Sequence, residues 1–203
     1  MRVIAIDPGS ETSSWIVVDT ESLAVLSHDE AANRDLAYSL HYYTEKFSGA
    51  CHLAIEYMRP RGMKTSQQEM DTQFWAGRLV QSWVLTYGDT WTPIARSQEK
   101  MTICGSPRAN DANIRQACID RYGGKEKAIG GKKCKHCHGK GTLRYRRKAG
   151  YDGQITCAEC KGTGWSFPPG PLYGIKSHLW QALAVALTFL EMRKEKGKDG
   201  FAI

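Results

Sequence analysis

Two acidic residues each follow a short apolar run in this sequence of 203 residues. Asp7 comes directly after VIAI, and Glu56 comes directly after LAI. Functional groups gather outside the carboxyl ends of the central strands of an open α/β sheet. If the two runs are adjacent parallel strands, the carboxylates repel each other unless a cation lies between them. Hard oxygen ligands favour Mg²⁺ or Mn²⁺, and a two-metal centre for phosphodiester hydrolysis requires such a carboxylate cluster.

A basic excess supports this interpretation over a purely structural one, in which Asp7 caps a turn and Glu56 ends a strand. The net charge is +7 and the isoelectric point is near 9.0, which favours a polyanionic partner such as nucleic acid. Residues 125–148 hold ten Lys or Arg against one acid, Glu126, although a solvated loop face is the alternative. No apolar stretch is long enough to span a membrane, and an acid appears too early for a signal peptide, so we expect a cytoplasmic protein without a membrane partner.

Four cysteines form a second candidate centre. They lie in two C-x-x-C-x-G-x-G units, CKHCHGKG and CAECKGTG, and comprise Cys134, Cys137, Cys157 and Cys160. This spacing predicts tetrahedral S₄ coordination of Zn²⁺ in a closed, structural site, without a need for His136 or His138. The glycines let the chain wrap so that backbone amides approach the sulfurs, and the units resemble the zinc repeats of DnaJ-type chaperones. The remaining cysteines are expected to be small buried residues: Cys51, Cys104 and Cys118.

The surrounding pattern predicts a mixed central sheet flanked by helices, an α/β fold. Strands are predicted over 1–6, 15–19, 22–26, 51–55 and 91–95. Helices are predicted over 30–47, 65–87, 109–122 and 178–193. The Gly- and Lys-rich stretch 123–170 is an inserted basic zinc-binding module with a hairpin in its spacer, which leaves 1–122 and 171–203 as the main domain. The aromatic residues Phe74, Trp75 and Trp83 share a helical apolar pattern, which favours core or a dimer face over base stacking.

Three segments carry a resemblance to a known family. IAIDPGSETSSWIVV, LAIEYM and GIKSHLWQALAVALTFL occur in the order and spacing of RuvC-type Holliday-junction resolvases, and the sequence resembles the phage-encoded branch. SPRANDANIRQACIDRYG looks like the helix that precedes that family's last catalytic helix. The resemblance covers the chain outside 123–170. It implies an RNase H-like fold, a Mg²⁺-dependent endonuclease of branched DNA, a homodimer, a role in DNA recombination and repair, and the host cytoplasm if the chain is phage-encoded.

The resemblance also implies a ligand set. Asp7 and Glu56 match the family's first two metal-binding carboxylates, and His178 and Gln181 occupy the positions of two further ligands on one face of the last helix. Gln181 is a departure because it offers only a neutral amide oxygen, which puts a second metal in question. Either the site is weaker or another acid completes it. Asp111 is the better substitute and the fourth candidate catalytic residue, ahead of Asp120.

Two groups of cations are predicted to contact DNA phosphates. One follows Glu56 and contains Arg59, Arg61 and Lys64. The other lies in the zinc-module spacer and contains Arg144, Arg146, Arg147 and Lys148. Two alternatives remain for the function: an RNase H-like nuclease acting on RNA or an RNA/DNA hybrid, and a zinc-dependent nucleic-acid-binding module without catalysis. An actin-like ATPase needs two such domains, for which the chain is too short.

Overall fold

A computed structural model of the chain describes residues 1–46, 51–59, 62, 64–146 and 152–198; the side chains of 41–46, 145–146, 152 and 196–198 are outside this description. Contacts divide the chain into two compact units. The first is Met1–Cys118 with Ile175–Ile203, and the second is Ile119–Gly174. The second unit begins earlier and ends later in the sequence than the predicted module 123–170, whose boundaries stay a prediction. None of the helices in the described part of the chain is both long and apolar enough to cross a membrane.

The first unit contains a five-stranded mixed sheet. Its strands are β1 (Arg2–Asp7), β2 (Thr12–Asp19), β3 (Val25–Ala32), β4 (Cys51–Tyr57) and β5 (Trp91–Ala95). The order is β3-β2-β1-β4-β5, with β1, β2 and β3 antiparallel and β4 and β5 parallel to β1. The predicted mixed α/β architecture is confirmed. β1 and β4 form the centre because their runs of apolar residues are buried on both faces.

Helices cover both faces of this sheet. Those that contact its strands are α1 (Asn33–Lys46), α2 (Gln67–Tyr87), α3 (Arg96–Cys104) and α6 (Leu179–Lys198). Between α3 and α6 in the sequence come α4 (Asp111–Arg121) and the short α5 (Lys125–Ala128). Ile4 and Ile6 of β1 belong to the core shared with α1 and α2. Val3 and Ala5 alternate to the other face, where α6 contacts the sheet. Residues 182–187 of α6 are all buried, as the nearly continuous apolar pattern predicts.

Three local predictions were wrong. The first helix begins at Asn33 rather than at residue 30, because 27–32 pair with β2 and extend β3. Helix α3 was not predicted; it is short and polar and ends at Gly105 in the left-handed conformation. Cys118 is buried, but Cys51 and Cys104 are only partly so.

The apolar face of α2 is only partly covered. Trp83 is buried and its indole nitrogen donates a hydrogen bond to the Thr90 carbonyl at 3.0 Å. Met70 and Phe74, two apolar residues of the same helix, are 53% and 59% exposed. The apolar periodicity locates this face of the helix, but it does not show whether another part of the same chain covers it.

The second unit carries two small antiparallel sheets. One pairs β6 (Lys132–Lys133) with β9 (Trp165–Phe167), and the other pairs β7 (Thr142–Arg146) with β8 (Asp152–Thr156). The pairing of β7 with β8 confirms the predicted ribbon in the spacer between the cysteine pairs. Its connecting residues, 147–151, lie outside the described part of the chain.

Candidate active site and metal centre

Asp7 and Glu56 lie next to each other at the same end of the sheet. Ile6 and Ile55 are direct partners in the parallel ladder of β1 and β4, so the residues that follow them emerge at the same end. Both carboxylates are largely buried and both line a cleft of about 520 Å³. Burial, and next the charge of Asp7, raises the pKa of Glu56 to about 9. Such a shift means that the folded chain disfavours two bare carboxylates here, and a bound cation would relieve that cost.

The turn after Asp7 is fixed by buried polar groups that sequence reasoning did not single out. A Cβ on Gly9 would lie 2.3 Å from the Thr12 carbonyl oxygen, so no larger residue fits without a shift of the backbone. The Gly9 amide donates to Ser13 Oγ at 3.3 Å, and Asn33 Nδ2 donates to the Gly9 carbonyl at 2.9 Å. Ser13 in turn donates to Asn33 Oδ1. A serine within an apolar strand was the available signal for this network.

His178 lies beside Asp7, immediately before α6. Its Nδ1 is 3.6 Å from Asp7 Oδ2, and the neighbouring Asp7 carboxylate raises the pKa of the imidazole. Gln181 also lines the cleft, and its backbone N–H donates to the His178 carbonyl at 3.0 Å. The Gln181 side chain is only 6% exposed, and its Oε1 has no hydrogen-bond partner in the described part of the chain. A buried acceptor without a partner costs free energy, so this oxygen is suited to accept from, or coordinate, a group in the cleft.

Arg96 is a site residue that the sequence interpretation missed. It follows β5 directly, at the same end of the sheet as Asp7 and Glu56, because β5 is parallel to β4. Its guanidinium lies 3.1 Å from Glu56 Oε2, 3.2 Å from Glu99 Oε2 and 2.6 Å from Asp111 Oδ1. The signal was present in the sequence, since Arg96 is the first charged residue after a buried strand end.

Asp111 and Glu99 both form ion pairs with Arg96. Asp111 opens α4 and is exposed at the rim of the cleft, where reciprocal hydrogen bonds between Asn110 and Asn113 fix the start of the helix. Glu99 is fully buried, and burial raises its pKa to about 7 while Arg96 opposes the shift. Asp120, the less favoured substitute ligand, is not among the residues that line the cleft.

The cations predicted to follow Glu56 border a neighbouring groove. Arg59 and Lys64 line this groove, which has a volume of about 770 Å³ and shares Glu56 and Arg96 with the cleft. Arg61, the third predicted cation, lies outside the described residues. The strand end that carries Glu56 therefore has a carboxylate cleft on one side and positive charge on the other.

The four cysteines of the second unit converge on one point. Their sulfurs all lie within 4.8 Å of one another and all four residues are buried. The Sγ–Sγ distances are 3.9 Å for Cys134 and Cys157 and 3.6 Å for Cys137 and Cys160. Tetrahedral zinc with Zn–S bonds of about 2.3 Å requires sulfurs about 3.8 Å apart. The residues therefore fit a zinc ion.

The glycines of the two cysteine units explain why the motif repeats. The Gly141 amide donates to Cys137 Sγ at 3.2 Å, and the Gly164 amide donates to Cys160 Sγ at 3.3 Å. A Cβ on Gly141 would lie 2.2 Å from the Gly162 carbonyl oxygen, and one on Gly164 would lie 2.5 Å from that of Gly139. The two units thus cross at a distance that only glycine permits.

The predicted DNA-contacting cations of the module can be placed only in part. Leu143 of β7 packs against the cysteines and Arg144 is exposed on the opposite face of the strand. Arg146 ends β7, but its side chain is not described. Arg147 and Lys148 lie outside the described residues. Their contacts with DNA stay a prediction.

Comparison with known proteins identifies the fold. No protein-family model matches the chain, and no curated protein matches it. Among solved structures, the chain is similar to Thermus thermophilus RuvC, with a TM-score of 0.60 and 16% identity over 96% of this chain and 97% of that one. It is also similar to T. thermophilus RuvC in complex with a Holliday junction substrate, with a TM-score of 0.58 and 15% identity over 96% of each chain. The resemblance to RuvC is thus confirmed at the level of the fold: this chain has the RNase H-like fold of the RuvC structures.

Proposed function

We propose that this chain is a metal-dependent endonuclease that cleaves Holliday junctions and other branched DNA by phosphodiester hydrolysis. The observation that carries the proposal is the placement of Asp7 and Glu56 at the ends of adjacent parallel strands, with His178 beside Asp7. The substrate class is supported by the fold likeness, since one similar structure is RuvC in complex with a Holliday junction substrate. Such an enzyme would serve DNA recombination and repair in the cytoplasm, or in a host's cytoplasm if the chain is phage-encoded.

Asp7, Glu56 and His178 would hold a Mg²⁺ ion, or Mn²⁺ in its place. The ion would supply positive charge to a phosphate oxygen and lower the pKa of a water molecule. The raised pKa of Glu56 supports this assignment, because two crowded carboxylates attract a cation more strongly than either alone. The oxygen donors are also of the hard type that Mg²⁺ prefers.

The chain's own residues would orient the substrate around that position. Ser13 and Asn33 hold the turn after Asp7, which fixes the carboxylate relative to β4. Arg59 and Lys64 border the site and would bind the phosphates that flank the scissile bond. The acidic lining of the cleft repels DNA until a cation is bound, so the same residues make cleavage dependent on the metal.

The zinc module would add DNA contacts without taking part in the chemistry. A closed S₄ site leaves no ligand position for water or substrate, so the proposed zinc ion is structural. It would fix the base of the β7–β8 ribbon, which lies in the spacer between the cysteine pairs. The spacer sequence contains the predicted cations Arg144, Arg146, Arg147 and Lys148. Each phosphate contact from these cations would release counterions and make binding more dependent on salt.

A homodimer would match the symmetry of a four-way junction. Paired cleavage of two strands requires two active sites related by a two-fold axis. The exposed apolar residues of α2, Met70, Phe74 and Leu85, lie at near-helical spacing, and the Arg78 guanidinium lies 4.9 Å from the centroid of the Trp75 ring. Exposed apolar surface is typical of interaction sites, so we propose this face of α2 as the dimer contact.

A matched substrate panel tests the proposal. The panel contains a four-way junction, a replication fork, a flap, duplex DNA and an RNA/DNA hybrid of the same sequence, each incubated with the zinc-loaded protein and Mg²⁺. We expect cleavage of the four-way junction to exceed that of the linear duplex by at least tenfold. Preferential cleavage of the RNA/DNA hybrid would instead identify an RNase H-like ribonuclease. Binding of the panel without cleavage of any member would identify a nucleic-acid-binding module.

A further inference from the structure

The Arg96 guanidinium lies where carboxylates from three different elements meet. It contacts Glu56 at the end of β4, Glu99 within α3 and Asp111 at the start of α4, at 3.1, 3.2 and 2.6 Å. Nη1 donates hydrogen bonds to Glu56 and Glu99, and Nη2 donates to Asp111. Positive charge is therefore already present between Glu56 and Asp111, both of which line the cleft.

Arg96 is also held in this position by Glu99, which is not one of the proposed metal ligands. Glu99 is fully buried and lies one helical turn after Arg96 in α3. Taking a carboxylate out of water is costly unless a cation compensates it, and Arg96 is that cation. Displacing Arg96 from the site would leave Glu99 without this partner. The ion pair with Glu99 therefore keeps the guanidinium in the site.

The ligand position at Gln181 lacks the charge that would help to hold a second divalent ion; the other carboxylates that line the cleft, Glu11, Glu30 and Glu69, are not among the ligands that the resemblance implies. Gln181 stands one turn after His178, lines the cleft and contributes no charge, and its buried Oε1 atom has no hydrogen-bond partner among the described residues. Asp7 is the carboxylate beside His178, with its Oδ2 atom 3.6 Å from His178 Nδ1. A second ion placed instead between Glu56 and Asp111 would meet the charge of Arg96 directly, and like charges at contact distance repel.

We propose that Arg96 takes the electrostatic place of a second metal ion. The active site then binds one divalent cation, held by Asp7, Glu56 and His178, and Arg96 is the second positive charge. As a positioning residue, Arg96 fixes the orientation of Glu56 and cancels part of the negative charge that a DNA phosphate meets in the cleft. Arginine suits this role because its planar guanidinium can bind two carboxylates and keeps its charge. The ion count is independent of the proposed function; the effect of Arg96 on cleavage rests on it.

Counting bound Mn²⁺ ions in the zinc-loaded, full-length protein tests this proposal. The free Mn²⁺ signal in electron paramagnetic resonance gives the number of ions per chain for five proteins: wild type, R96Q, Q181D, the double variant R96Q/Q181D, and R108Q as a control. Arg108 is exposed and does not line the cleft, so R108Q matches the change in net charge. We expect one Mn²⁺ ion in the wild type, R108Q and Q181D, and two in the double variant.

Two Mn²⁺ ions in the wild type or in Q181D would overturn the proposal, as would one ion in a folded double variant. R96Q is judged folded or unfolded by circular dichroism and zinc content. If it does not fold, the numbers of Mn²⁺ ions bound by the wild type and by Q181D still decide between one ion and two. For cleavage, we expect R96Q to lower kcat about 100-fold, with R96K recovering part of the loss at an unchanged ion count. Equal kcat values for R96K and R96Q would contradict the positioning role. If the wild type binds one ion but cleaves no branched DNA, the proposed function is wrong and the proposed ion count still holds.

Discussion

The Nδ1 atom of His178 lies 3.6 Å from Oδ2 of Asp7, which joins the end of the first strand to the residue that precedes the last helix. These two residues are 171 positions apart in the sequence. The buried core between β1 and α6 therefore determines the geometry of the site, because any shift of the helix on the sheet changes this distance. Mutations of the ligands, of the turn and of the supporting core should have separable effects.

Replacing His178 with alanine should weaken metal binding more than folding. The imidazole is exposed at the rim of the cleft, so its removal leaves no cavity in the core. We expect the Mg²⁺ concentration for half-maximal cleavage to rise by about tenfold or more, in line with the loss of a metal-supporting group, with the Tm unchanged. His28→Ala is the control, since His28 lies on β3 and does not line the cleft. Equal Mg²⁺ requirements in both variants would remove His178 from the ligand set.

Replacing Gly9 with alanine should damage both stability and cleavage. The added Cβ would lie 2.3 Å from the Thr12 carbonyl oxygen, so the turn that follows Asp7 must move. We expect the free energy of unfolding to fall by about 1–3 kcal/mol and the cleavage rate to fall with it. Gly77→Ala is the matched control: it lies within α2 with no atom near its added Cβ, so it should raise stability by about 0.5–1 kcal/mol. Urea unfolding and single-turnover cleavage measure the two effects, and an unaffected Gly9→Ala protein would refute the tight turn.

Replacing Cys137 with serine should abolish zinc binding. One zinc ion per chain is expected in the wild type by elemental analysis and none in the variant, whereas Cys104→Ser, outside the cluster, should keep the ion. Junction affinity should fall, and the slope of log K against log salt should become shallower by about 0.9 per lost phosphate contact. Unchanged affinity and slope after loss of zinc would assign the module to folding or to a protein partner.

His52 should make folding stability depend on pH. It donates to or accepts from Thr92 Oγ1 at 2.8 Å and stacks on Phe189 at a ring-centroid distance of 4.5 Å. Burial, and next the charge of Arg193, lowers the pKa of this histidine below its ordinary value of 6.5. The unfolded chain therefore binds the proton first as pH falls, so the contribution of His52 is present above about pH 6.5 and is lost on acidification through the folded-state pKa.

The measurement is the loss of unfolding free energy between pH 7.5 and pH 5.5. We expect the wild type to lose more than His52→Gln, since glutamine keeps a polar side chain but does not titrate in this range. A comparison within this pair removes the opposing contributions of Glu56 and Glu99, whose raised pKa values favour the protonated acid in the folded state. Identical losses in the two proteins would mean that His52 is not the titrating group.

The sequence was most informative where one strong local signal determines structure. Charged residues after apolar strands located Asp7 and Glu56, and the paired C-x-x-C-x-G-x-G units located a metal site whose glycines are required by close backbone approach. Arg96 obeys the same strand-end rule, but a pattern defined by acidic residues does not include it. The rule locates the edge of a sheet, whatever charge the residue carries.

Other features depend on contacts between residues that are distant in the sequence. Ser13 and Asn33 have no local pattern that links them, although their hydrogen bond fixes the turn at the site. Residues 30–32 read as helix but pair with β2, because the hydrogen bonds of the ladder outweigh a weak helical preference. The exposure of Phe74 likewise depends on what else in the chain packs against α2, which periodicity does not determine.

The central claim is that Asp7 and Glu56 perform metal-dependent cleavage of branched DNA. The most direct measurement is cleavage and binding of a four-way junction by Asp7→Asn, Glu56→Gln and Asp89→Asn, the last at an exposed position before β5. We expect Asp7→Asn and Glu56→Gln to lose cleavage in Mg²⁺ while retaining junction affinity, and Asp89→Asn to match the wild type. Retained cleavage in both Asp7→Asn and Glu56→Gln would contradict the assignment of the active site.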